Sequence, residues 1–430
     1  MTVLAILLGG FLALIALGVP VAVAMGVAGA GAIWLATNLP MVVVGQRMLV
    51  ILDSFPFLAL PFFVVAGLLM ERGGITRRLI DFSGLFVGRL TGGLAHVLIG
   101  TNLIMAGASG SATADCAATG TVLIPALARA GYSRAFACAL TAAASTVGPI
   151  VPPSIMFVLF GAIASVSIGR LFVGGALPGL LMGIYLMIAA HLIAKRRRYP
   201  KLPPVSLPAA LRIARDALPA VLMPIVVLGG IVAGIFTPTE AGAIAAGYAL
   251  VLSVAVYREL PLSAVPGVLA RGGIVTGAIM LIVSAASLFG WLLAREQAPQ
   301  MLARGFTALS DDPLVFLFVF NVALLVLGCF FEAVSLLILV TPVIMPVVTS
   351  VGIDPVHFGV VMTLNLMIGL LTPPVGMNMF IVCAIGGISI REYTREVVPF
   401  VVALLLVLGL ITYVPALVLF LPNLLLGVAR

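Results

Sequence analysis

The feature that most constrains this chain is the length of its apolar runs, which continue without the alternation of a half-buried strand. From Val3 to Ala36 the sequence is apolar, interrupted only near Gly18 to Pro20. Overall 63% of the residues are hydrophobic and 8% are charged, against about 25% charged in a soluble domain. The solvent is therefore a lipid bilayer. In hydrocarbon every backbone polar group must be paired internally, which leaves helices or closed barrels, and unalternated Leu/Val/Ile/Ala runs exclude a barrel. The expected fold is an all-α integral membrane protein of roughly ten spans, near 2–18, 20–37, 56–71, 135–165, 171–194, 219–236, 239–257, 271–293, 355–387 and 398–421.

Two other apolar stretches, 91–128 and 314–348, are interrupted by Gly107-Ala-Ser-Gly-Ser-Ala-Thr-Ala-Asp115 and Gly328-Cys-Phe-Phe-Glu332. Each half is too short to cross comfortably, so each stretch reads as a re-entrant helical hairpin. The basic residues support this. With the N-terminus outside and both hairpins returning to their own side, seventeen of the 22 Lys and Arg fall on one side; only Arg47, Arg170, Arg295, Arg304 and Arg430 fall on the other. Lysine and arginine in short loops favour the cytoplasm, so the expected placement is multi-pass with both termini outside. The net charge of +8 is explained by this asymmetry and gives no clustered nucleic-acid face. No signal peptide is expected, because the N-terminus lacks a basic region.

The chain also repeats itself. A shift of 221 positions places Gly107 on Gly328, Pro125 on Pro346, Gly131 on Gly352, Gly148 on Gly369, Pro152-Pro153 on Pro373-Pro374 and Pro178 on Pro399. The first hairpin enters from the cytoplasm and the second from outside. Inverted repeats with broken helices are the signature of secondary transporters, whose sites lie at the midplane. The expected organisation is scaffold helices and an interfacial helix over 1–55, a first repeat over 56–200, connecting scaffold helices over 201–265 and a second repeat over 266–430.

Chemistry concentrates at the interruptions. Around the first tip, Gly107, Ser109, Ser111 and Asp115 offer backbone and side-chain oxygens to a hard cation, with Thr113 and Thr119 nearby. Asp115 in mid-membrane costs roughly 2.5–3.5 kcal/mol on insertion scales, so it demands a cation, a proton or a polar cavity. The prolines of Ser145-Thr-Val-Gly-Pro-Ile-Val-Pro-Pro-Ser154 cannot continue a helix, which frees carbonyls between Ser145 and Val151. The partner break runs from Asn365 through Gly369, Thr372 and Pro374 to Met377 and Asn378. Glu332 falls opposite Ser111, flanked by Ser335 and Thr341.

Arg47 and Asp53 lie in an amphipathic interfacial stretch, Val42 to Phe55. Glu71 to Arg89 and Arg295 to Phe306 read as paired interfacial arms, Lys195 to Arg198 as a positive-inside anchor, and Thr237-Pro-Thr-Glu240 as a capped outer turn. His96, His191 and His357 have no metal-ligand spacing and are expected at surfaces or boundaries. The four cysteines, Cys116, Cys138, Cys329 and Cys383, form no CxxC and read as small hydrophobes. An intramembrane serine protease is the competing class, since Gly107-Ala-Ser109-Gly110 fits a short GxSG pattern. It lacks a nearby base and leaves the second hairpin unexplained. A continuous channel needs no inverted broken-helix pairs. The chain is not expected to be an enzyme or to need a cofactor beyond a coupling ion.

Pro61-Phe-Phe-Val-Val-Ala-Gly67-Leu-Leu-Met-Glu71, the tip Gly107 to Asp115, Gly148-Pro-Ile-Val-Pro-Pro-Ser154 and Leu371-Thr-Pro-Pro-Val-Gly-Met-Asn378 together resemble the large membrane subunit, DctM type, of tripartite ATP-independent periplasmic (TRAP) transporters. The resemblance covers essentially the whole chain. It implies an ion-transporter-superfamily fold in a bacterial inner membrane, with sodium-coupled symport of an organic acid such as a C4-dicarboxylate or sialic acid. It also implies an elevator motion of the hairpin domain. Two partners are implied: a small four-helix membrane subunit of DctQ type, expected as a separate polypeptide because this chain begins with the large-subunit pattern, and a periplasmic solute-binding protein of DctP type. One sodium site is implied among Gly107, Ser109, Ser111, Asp115, Ser145, Thr146, Gly148 and Val151. A second is implied among Gly328, Glu332, Gly369, Thr372 and Met377. Substrate is implied near Ser109, Gly110, Pro153, Ser154, Asn365, Pro374 and Asn378. A stand-alone sodium- or proton-driven carboxylate carrier of the same superfamily is the alternative.

Overall fold

The computed structural model describes residues 2–307 and 312–427, so Arg430 lies outside the described residues. The first elements are α1 (Thr2–Ala16), α2 (Val21–Ala36), a short α3 (Val42–Val50), α4 (Ala59–Arg72) and α5 (Ile75–Val87). The first hairpin is α6 (Gly93–Ser109) and α7 (Ala112–Arg129), followed by the broken pair α8 (Arg134–Ser145) and α9 (Ile155–Ala164). Then come α10 (Ile168–Arg197), α11 (Leu207–Val232), α12 (Pro238–Val251) and α13 (Val265–Arg295). The second half continues with α14 (Ala298–Thr307), the hairpin α15 (Pro313–Gly328) and α16 (Ala333–Ser350), the broken pair α17 (Pro355–Gly369) and α18 (Met377–Gly386), α19 (Ile390–Tyr413) and α20 (Ala416–Leu426).

No strand occurs among the described residues, and by length and composition seven of the described helices can cross a membrane singly. One of these, α16, is nevertheless the returning arm of a hairpin. The other expected spans are the shorter α1 and α2 and the two broken pairs. The expected span 398–421 needs correction: α19 starts at Ile390 and ends at Tyr413, and α20 is a separate helix. The cause is Pro415, which drives Val414 out of the helical region to φ −123°, ψ 78°. Likewise α11 starts well before the apolar core of its span, because Ser206 precedes it and Pro208 sits in the first turn, where a missing N–H costs nothing.

The two halves match in detail. Helices α7 and α16 begin and end 221 residues apart. Each is followed by a left-handed glycine, Gly131 at φ 89° and Gly352 at φ 77°, a conformation only glycine adopts without strain. Two residues later a side-chain oxygen caps the next helix: Ser133 accepts from Phe136 N, and Asp354 from Val356 N and His357 N. Thus turn and cap are repeated as a unit. Both proline pairs, Pro152–Pro153 and Pro373–Pro374, are joined by cis bonds.

Helix α4 packs against α12 and α13, and α2 against α1 and α13. The hairpins pack on the broken pairs: α7 lies against α8 and α18, and α16 against α9 and α17. Between these groups, α5 touches α6 and α11, while α14 touches α13 and α16. Contacts between loops join residues that the charge pattern puts on one face. On the basic face Arg78 pairs with Glu259 at 2.6 Å, Arg197 with Glu396 at 2.9 Å, and Gly93 N donates to Pro200 O. On the opposite face Ser284 Oγ donates to Met48 O, Arg47 stacks on Trp291 and Arg170 donates to Asn423. Two histidines depart from expectation. His96 is buried against His191 between α6 and α10, and His357 is buried with Nε2 2.8 Å from Ile411 O.

Candidate functional site

Each hairpin tip rests on the break of a helix. At the first, Gly110 is left-handed (φ 59°), and a β-carbon there would lie 2.9 Å from Pro153 O and 3.4 Å from Ser154 Cα. The tip therefore sits directly on the first Pro-Pro loop. Ser111 caps α7 by accepting from Ala114 N, and its own N–H donates to Ser109 Oγ at 3.4 Å. One turn into α7, Asp115 is fully buried, and neither carboxylate oxygen accepts a hydrogen bond. A buried carboxylate without donors is costly, so this is the least satisfied group at the site. It faces the unwound segment, since a β-carbon on Gly148 would stand 2.5 Å from Asp115 Oδ2. Ser109, Asp115, Thr76 and Glu71 also line a narrow cavity of about 20 Å³, room for roughly one water-sized particle.

At the second tip the approach is of backbone on backbone. A β-carbon on Gly369 would lie 2.7 Å from Gly328 O, and Val375 N donates to Cys329 O at 3.0 Å. Cys329 Sγ is 3.2 Å from Thr372 Oγ1, which donates to Gly369 O. Glu332 is the cap of α16: its carboxylate accepts from Val334 N, Ser335 N and Ser335 Oγ. That is why it occupies the position of Ser111 in the repeat. The breaks meet at Asn378, whose Nδ2 donates to Ser145 Oγ at 2.9 Å.

Other expected site residues are placed differently. Asn365 is buried and turned to the hairpin, donating to Asn321 Oδ1 at 2.8 Å, while Asn321 donates to Thr412 Oγ1. Thr146 Oγ1 is spent on Ala143 O. Val151 packs beside Gly179, and Gly107 beside Pro224 and Pro152 O. Met377 and Pro374 are exposed, whereas Pro152, Pro153 and Ser154 are buried, so the two Pro-Pro loops are not equally covered. Ser154 Oγ donates to Pro149 O and caps α9 by accepting from Phe157 N. We expect Ser154→Ala to lower stability by about 1–2 kcal/mol, read as a fall in the thermal unfolding midpoint of the purified chain.

Sequence comparison decides the family. The profile of the tripartite ATP-independent periplasmic transporter DctM component matches residues 8–417. The chain belongs to this family. As a DctM-family chain it is 43% identical over 418 residues to the sialic acid TRAP transporter large permease protein of Vibrio cholerae, covering 97% of this chain and 98% of that one. It is 41% identical over 371 residues to the C4-dicarboxylate TRAP transporter large permease protein of Pseudomonas aeruginosa, covering 86% and 87%. It is 38% identical over 418 residues to the isethionate TRAP transporter permease protein DctMQ of Oleidesulfovibrio alaskensis, covering 97% of this chain and 66% of that one. Among solved structures, the YdaH transporter of Alcanivorax borkumensis shares the fold, with a TM-score of 0.66 at 14% identity over 87% and 89% of the two chains. The DctM-family chain is therefore a multi-pass membrane transport component and not an enzyme.

Sequence reasoning missed Asn321 and Cys329. Asn321 was visible as a lone amide in the apolar arm Pro313–Gly328. Cys329 carried no signal, because its contact with Thr372 depends on how the tip docks. Gly67 was quoted only within a motif, yet a β-carbon there would stand 3.2 Å from Ser109 O.

Proposed function

We propose that this chain is the large membrane subunit of a sodium-coupled TRAP importer that takes an organic acid from a periplasmic binding protein. The observation that carries the reading is Asp115: a buried carboxylate whose oxygens accept no hydrogen bond of ordinary geometry, beside Gly148 on an unwound segment. Such a group fits a desolvated cation, held with the oxygens of Ser109, Ser111 and the segment Ser145 to Val151. The second tip, with Gly328, Gly369, Thr372 and Met377, offers mostly backbone oxygens to a second cation, with Glu332 adding charge nearby. Substrate belongs between the tips and the Pro-Pro loops, near Ser109, Gly110, Pro153, Ser154, Pro374 and Asn378. Asn365 orders the second hairpin behind this cleft.

In this reading the basic face is cytoplasmic, the membrane is the bacterial inner membrane and both termini are periplasmic. The group α1–α4 with α11–α13 is the scaffold, and the hairpins with the broken pairs slide against it as an elevator. A DctQ-type subunit covers the scaffold. Each net positive charge carried inward gains about 2.3 kcal/mol per 100 mV, so sodium in excess over substrate charge drives accumulation.

The test is uptake into vesicles holding this chain with its small subunit, using sialate, succinate or isethionate and the cognate binding protein. Uptake that requires both an inward sodium gradient and the binding protein is the expected result. Uptake indifferent to both would replace this reading with a stand-alone or proton-driven carrier.

A further inference from the structure

The outer face carries a cavity that plays no part in the sodium sites. It has a volume of about 690 Å³, and its walls include Ser54, Ser165, Ser167, Arg170, Phe236 and Pro238. That size is within the range of small-molecule sites. Arg170 stands in the first turn of α10, behind the cap Ser167, and is only 9% exposed. Its terminal nitrogens donate to Gly427 O and Asn423 Oδ1, both neutral, and its buried Nε has no partner. No acidic residue is among the described residues lining the cavity. A guanidinium charge and the positive end of a 30-residue helix thus act on the same space, with no carboxylate side chain among the described lining residues to offset them. Two other arginines do meet carboxylates, Arg78 with Glu259 and Arg197 with Glu396.

We infer that this cavity is a staging site for the carboxylate of the transported acid, filled on release from the binding protein and before the acid reaches the hairpin tips. The inference rests on the transport reading for its direction and for the identity of the anion. Geometry links it to the central cleft. Helix α9 runs from the Pro153–Ser154 loop to Ser165 on the cavity wall, about 15 Å at 1.5 Å per residue. The site takes one anionic group through Arg170, the α10 N-terminus and the serine hydroxyls, leaving room for a sugar-sized body.

The test uses the full chain in right-side-out vesicles with Ser165→Cys or, separately, Ser54→Cys, both residues lining the cavity. Labelling by an anionic and a neutral impermeant-sized methanethiosulfonate is compared, with the parent chain as background. The anionic reagent is expected to be favoured, and Arg170→Gln to lower the anionic-to-neutral rate ratio about tenfold. Arg170→Lys keeps the charge and much of the ratio, and Asn423→Ala, which loosens α20 without removing charge, keeps it. Sialate should slow labelling in the Arg170 chain, and its methyl ester should not. A ratio unchanged by Arg170→Gln, equal protection by the ester, or no labelling of either cysteine from outside overturns the proposal. If sodium-driven uptake fails while the ratio and protection hold, the transport reading falls and the anion site stands.

Discussion

Asp115→Asn is expected to lower sodium-driven uptake by about a hundredfold or more while leaving the chain folded and inserted. Removing one member of a buried charge pair typically costs roughly 3–5 kcal/mol, which is about two to four powers of ten in cation affinity. The sign of the stability effect separates this from misfolding. Without sodium, the native carboxylate is buried with no donor on either oxygen, so the neutral amide relieves a penalty and should match or exceed the native thermal midpoint. With sodium, the native chain gains RT ln(1 + [Na⁺]/Kd) and the variant does not. Sodium titrations of the unfolding midpoint of both chains, beside uptake rates, check the prediction. A variant that loses uptake and also unfolds early without sodium would show Asp115 to be structural.

Gly369→Ala should also be damaging, though less so, for a steric reason. The added methyl would come within 2.7 Å of Gly328 O and 3.0 Å of Gly328 Cα, and backbone cannot rotate aside as a side chain can. Overpacking of this kind costs about 1–3 kcal/mol, and relief requires the second tip to lift off the Gly369–Thr372 turn. Uptake per inserted molecule should fall by about tenfold or more, in line with that cost. Gly328→Ala is predicted to be milder, because its β-carbon would meet only Gly369 Cα at 3.4 Å. Gly409→Ala, whose β-carbon meets nothing within 4 Å, should leave uptake unchanged and add about 0.5–1 kcal/mol of helix stability. Equal uptake in the Gly369 and Gly409 variants would contradict the docking of the second tip.

Both hairpins were legible in the sequence because a Gly-rich interruption inside an apolar run has few other physical meanings. The repeat was legible because glycine and proline mark backbone geometry, and the 221-residue offset of α7 and α16 follows from them. Hydropathy was a poorer guide at the ends. It missed the polar first turns of α11 and ran through Val414-Pro415, where backbone sterics rather than hydrophobicity end α19. Side-chain roles were legible only in part. Asp115 stood out because a carboxylate in lipid requires an explanation, but the same reasoning could not tell that Glu332 spends its oxygens on the first turn of α16. Nor could it show that Asn365 faces Asn321, since facing depends on how α15 lies against α17. Arg170 was visible as one of the few basic residues off the basic face, but the cavity beside it is a product of packing.

The most direct test of the account is the entry of labelled sodium into vesicles containing this chain and its small subunit, measured with substrate-loaded binding protein outside. Sodium entry is predicted to require the loaded binding protein, to accompany substrate entry in fixed ratio, and to vanish with Asp115→Asn. Substrate entering at the native rate with no accompanying sodium, or sodium entering at the same rate without substrate, would contradict the claim that the hairpin tips couple the two.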